Sequence, residues 1–71
     1  MTRDELTAQL IESCRKHLSP GKALLVGACL DNHTDEMWLR LNLAPSGEYT
    51  EREMAELALR CALEIVGSAA N

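Results

Sequence analysis

Residues 22–31 read KALLVGACLD, and the period assigned to them decides the fold. Apolar residues occupy both alternating sets. Leu24, Val26, Ala28 and Leu30 point one way; Ala23, Leu25, Gly27 and Cys29 point the other. A short apolar run bounded by turn signals has the signature of a strand covered on both faces. Turn signals flank this one. In SPGK, residues 19–22, Pro20 and Gly21 suit the centre of a type II turn. NHTDE, residues 32–36, is a polar turn. The run is far shorter than the ~20 residues of a membrane-spanning helix.

The next apolar stretch, MWLRLNLA at residues 37–44, alternates cleanly. Met37, Leu39, Leu41 and Leu43 fall on one face, and Trp38, Arg40 and Asn42 on the other. That is the period of a half-buried strand. Two strands this close in sequence pair as an antiparallel hairpin. APSG, residues 44–47, closes the second strand with a proline turn.

Outside the hairpin, the pattern changes to a helical one. Thr2-x-x-Glu5 and Thr50-x-x-Glu53 are capping boxes, in which the threonine oxygen accepts an orphan amide and the glutamate reaches back to the threonine N–H. Met1 with Leu6, and Tyr49 with Met54, form the matching hydrophobic staples. The first helix is expected from Arg3 to Leu18, with Leu6, Leu10, Ile11, Cys14, His17 and Leu18 along one side. The second is expected from Glu51 to Val66, stopping at Gly67, with residues 66–71 as a frayed tail. The resulting prediction is an α+β fold: one domain over residues 1–71, order α-β-β-α, with an antiparallel hairpin packed against two helices. The order resembles that of double-stranded-RNA-binding domains. It lacks their third strand and basic second helix, so no function carries over.

Composition narrows the function. The 71 residues carry a net charge of −4 and include one Trp, one Tyr and no Phe. Nucleic-acid binding relies on a basic patch, and none is present. The chain shows no opening signal-peptide pattern and no apolar run of membrane length. Three cysteines, all within apolar segments, suit reduced thiols in the cytoplasm better than a secreted disulfide framework.

Two features bear on chemistry. Cys14-x2-His17 with Cys29-x3-His33 supplies two thiols and two imidazoles, a sound donor set for tetrahedral zinc. The order departs from that of zinc fingers, and buried cysteine is ordinarily a small hydrophobe. No metal or other cofactor is therefore expected. A Cys14–His17 nucleophile pair lacks any orienting third group. The carboxylates of DNHTDE lack the glycine and spacing of a calcium loop.

The other feature is surplus apolar surface. The second helix has a narrow polar stripe of Glu53, Glu56, Arg60 and Glu64. Its apolar arc spans roughly 240°, well beyond the ~100° of a surface helix. Leu59 and Leu63 lie at the edge of that arc. Leu25, Trp38 and Arg40 lie on the outer face of the predicted hairpin. These five residues are the expected partner or dimer interface, and a homodimer is expected to complete the fold. The functional expectation is a small acidic, non-catalytic cytoplasmic protein that binds another protein as adaptor, chaperone-like regulator or inhibitor. The alternatives are a metal-binding protein using Cys14, His17, Cys29 and His33, and an enzyme subunit whose site is completed across a dimer interface.

Overall fold

A computed structural model of the chain describes residues 2–43 and 47–69. Their regular elements are four helices: α1 (Arg3–His17), α2 (Pro20–Asn32), α3 (Thr34–Asn42) and α4 (Glu51–Ala69). There is no strand among the described residues. The α+β prediction is overturned, because both predicted strands are helical. The APSG turn lies largely outside the described residues, as does the Met1 half of the first staple.

The physical reason lies in the residues of KALLVGACLD themselves. Leu and Ala are among the best helix formers, and Val26 is the one β-branched residue in the stretch. Pro20 occupies the first turn of α2, where its missing N–H costs nothing, behind Ser19 in extended conformation. What resembled a turn is a helix start. Burial follows the helical period: Val26, Cys29 and Leu30 are buried, while Leu24, on the strand's inward face, is 75 % exposed. Gly27 interrupts the run at a cost of about 1 kcal/mol relative to Ala, which packing offsets.

The polar NHTDE segment is a corner between two helices. His33 ends α2, donating its N–H to the Cys29 carbonyl at 2.8 Å, and starts α3, accepting from Met37 N–H at 2.9 Å. Thr34 Oγ1 donates to the Leu30 carbonyl at 2.6 Å and ties the corner. Asp35 and Glu36 then sit at the positive end of the α3 dipole, with Arg40 at the negative end. In α3 only Met37 is fully buried, with Trp38 and Leu41 packed beside it.

The flanking helices start where expected, at Arg3 and Glu51. Thr2 Oγ1 accepts from Glu5 N–H at 3.2 Å. At α4 the box is reciprocal: Glu53 N–H to Thr50 Oγ1 and Thr50 N–H to Glu53 Oε1, both 3.1 Å. The second helix runs on through Gly67 to Ala69, so the expected stop at Gly67 does not occur.

Helix α4 is the centre of the domain. It packs against α1, α2 and α3, presenting Ala55, Ala58, Cys61, Ala62 and Ile65. Four of these five are small, which lets neighbouring helices approach closely. Leu10, Cys14, Val26, Cys29, Leu30 and Met37 complete the core. Much of the wide apolar arc of α4 is thus covered from within, while Leu63 and Val66 stay exposed at 53 % and 43 %. The domain's radius of gyration is 11.2 Å, close to the ~11 Å of a compact domain of this length.

Candidate functional site

Three helices and the segment before α4 converge on Trp38. From α1 come Leu6 and Leu10, from α4 Met54, and Tyr49 precedes the α4 cap. Together they line an open groove of about 470 Å³. Local sequence explains the placement. Leu6 and Leu10 are one turn apart on α1. The Thr50–Glu53 box fixes where α4 begins, and so places Tyr49 and Met54 on the same side. Trp38 falls about 100° from Met37 around α3, which turns its ring to the flank of the core.

The indole is held from the other side by Arg3. Its guanidinium lies 5.6 Å from the ring centroid, in cation–π range, and 3.5 Å from Asp35. The indole N–H is buried, with no hydrogen-bond partner among the described residues. A donor left this way costs about 1–3 kcal/mol.

The groove's rim is polar, with Gln9, Ser13, Glu12 and Glu51. Both acids are more than half exposed. Glu51 also meets His17 Nε2 at 3.5 Å, and Glu12 meets Arg15 at 3.9 Å. An apolar floor with two carboxylates on its rim suits an apolar side chain flanked by positive charge.

The five residues of the expected interface differ in their surroundings. Trp38 lines the groove. Arg40 is engaged within the chain, with Glu36 at 3.1 Å and Glu64 at 2.7 Å. Its hydrogen bond to Glu36 is the largest of the effects that push its pKa up. A strand would put Trp38 and Arg40 on one face, whereas in α3 they lie about 200° apart. Leu25 and Leu59 are partly buried against the core, and Leu63 is 53 % exposed.

The cysteine–histidine set is not assembled. Cys14 and Cys29 are buried free thiols in the core, and His17 and His33 are exposed. Among the described residues no three His, Cys, Asp or Glu side chains come together as a metal site. Burial pushes the Cys14, Cys29 and Cys61 thiols above the ordinary range. They stay protonated at neutral pH, the reverse of what a nucleophile or metal ligand requires.

Sequence reasoning singled out Trp38 but missed Leu6, Leu10, Tyr49 and Met54 as its neighbours. The Tyr49–Met54 staple was the available signal. It could not be joined to Trp38 while residues 37–44 were read as a strand. Comparison with protein-family models, curated proteins and solved structures finds no match to this chain. No helix among the described residues is long and apolar enough to cross a membrane.

Proposed function

We propose that this protein acts without catalysis, by binding a polypeptide in the groove beside Trp38. The bound segment is amphipathic: an apolar side chain enters between Leu6, Leu10 and Met54, and basic residues on either side meet Glu12 and Glu51. The carrying observation is a half-buried tryptophan flanking an apolar groove with an acidic rim. Tryptophan is enriched at the centres of binding surfaces, and the net charge of −4 favours approach of a basic partner. Three buried, unpaired thiols suit a reducing compartment, so the proposed location is the cytoplasm. A regulator or inhibitor that occupies a partner's basic segment fits this surface.

Calorimetric titration with two short helical peptides tests the reading. A leucine–lysine peptide should bind, with an affinity that falls as salt rises. A leucine–glutamate peptide should not. Equal binding of both would show that the acidic rim selects nothing, and no heat with either would remove the groove as a peptide site.

A further inference from the structure

We infer that a second copy of this chain docks on the outer face of α2, forming a two-fold dimer independent of the Trp38 groove. A second groove, about 600 Å³, runs between α1 and α2 and shares no lining residue with the first. Its lining includes Ile11, Arg15, Leu24, Gly27, Ala28 and Asp31.

Three properties make this surface complementary to itself. Leu24 stands 75 % exposed, a large apolar knob in the open. Gly27 and Ala28, one turn further on, leave a depression: a Cβ placed on Gly27 meets nothing within 4 Å. Arg15 and Asp31 bring opposite charges to opposite ends. Arg15 lies in the last turn of α1. Only Leu18 and Ser19 separate α1 from α2, which puts Arg15 at the Pro20 end of the groove. Asp31 is at the other end, in the last turn of α2. Among the described residues its carboxylate has no ion-pair partner, and Arg15 has the one long contact to Glu12 at 3.9 Å.

A two-fold axis crossing α2 near Val26 satisfies all of this at once. Antiparallel α2 helices then place Leu24 of each copy against Gly27 and Ala28 of the other. The same axis brings Asp31 of each copy to the Pro20 end of its partner, where Arg15 lies. An isologous contact must be self-complementary in this way. Knob meets hole and acid meets base about one axis, which selects a second copy over an unrelated partner.

Charge reversal with mixing tests the inference, read by sedimentation equilibrium. The wild type should associate toward twice the 7.8 kDa of one chain as concentration rises. Arg15→Asp and Asp31→Arg each make both symmetry-related pairs repulsive. Each alone should raise the dissociation constant roughly tenfold or more. Mixed in equal amounts, the two variants should recover the dimer, because one carries two acids in the groove and the other two arginines. Gly27→Gln, which fills the depression with a good helix former, should weaken association while far-UV circular dichroism stays helical. A wild type that remains at 7.8 kDa at millimolar concentration would overturn the inference. A dimer indifferent to these substitutions, or single variants that fail to recover it on mixing, would overturn it too.

Discussion

Truncating Met37 and Leu39 separately tests whether residues 37–44 are helix or strand. In a strand the two share a face and should cost alike when cut back to alanine. In α3 they lie about 200° apart. Met37 is wholly buried, at 0 % exposure, whereas Leu39 is 59 % exposed. Met37→Ala removes a core side chain and leaves a cavity, at a cost of about 2–5 kcal/mol. Full burial of a leucine is worth about 1.5–3 kcal/mol. With two-fifths of Leu39 covered, its loss comes to about 0.6–1.2 kcal/mol, offset by a few tenths for the better helix propensity of alanine. The expected gap between the two variants is thus on the order of 2 kcal/mol. A domain of this length has a total stability of only about 4–11 kcal/mol, so Met37→Ala sits near the edge of folding. Urea unfolding followed by far-UV circular dichroism reads both. In thermal melts each kcal/mol corresponds to about 4–8 °C. Losses equal within error would refute the helical assignment of α3.

Other expectations follow from the caps and the thiols. Thr50→Ala should destabilise by about 1 kcal/mol, measured by urea melts; no change would mean that the reciprocal bonds to Glu53 contribute nothing. Cys14, Cys29 and Cys61 should react with a thiol reagent only as fast as the domain opens, and all at once in denaturant; rapid labelling of native protein would contradict their burial. Burial raises the three thiol pKa values in the folded state, so below about pH 8.5 both states hold their thiol protons and stability is unaffected. Above it the unfolded chain releases protons that the folded chain retains, and stability should fall as pH rises. A flat profile from pH 8 to 10 in urea melts would count against that.

The sequence made the outer helices legible and hid the inner two. α1 and α4 both carry capping boxes, and α4 carries a polar stripe, Glu53, Glu56, Arg60 and Glu64, that only a helical period explains. α2 carries no polar face within its apolar run, so periodicity alone cannot separate a buried strand from a buried helix. Composition was the better guide. Residues 22–31 hold a single β-branched residue, Val26, and residues 37–44 hold none. Thr34, Asp35 and Glu36 ahead of Arg40 also mark a helix start, with Glu36 and Arg40 four apart and paired at 3.1 Å. α3 misled for another reason. Leu39 within it and Leu43 at its cap are exposed, and those two leucines with Met37 and Leu41 imitate a strand's alternation. At the candidate site Trp38 stood out as the one large aromatic in an apolar segment, but its surroundings depend on tertiary packing of α1, α3 and α4.

Trp38 is also the one tryptophan in the chain, so its fluorescence reports on the proposed site alone. Titration with the leucine–lysine peptide should shift its emission to shorter wavelength and saturate, as water leaves the groove. Leu6→Glu, which places a charge in the groove from a half-exposed position, should abolish the shift while far-UV circular dichroism stays helical. Peptide binding seen by calorimetry with no change in Trp38 emission, or a shift unaltered by Leu6→Glu, would place the interaction elsewhere and contradict the account.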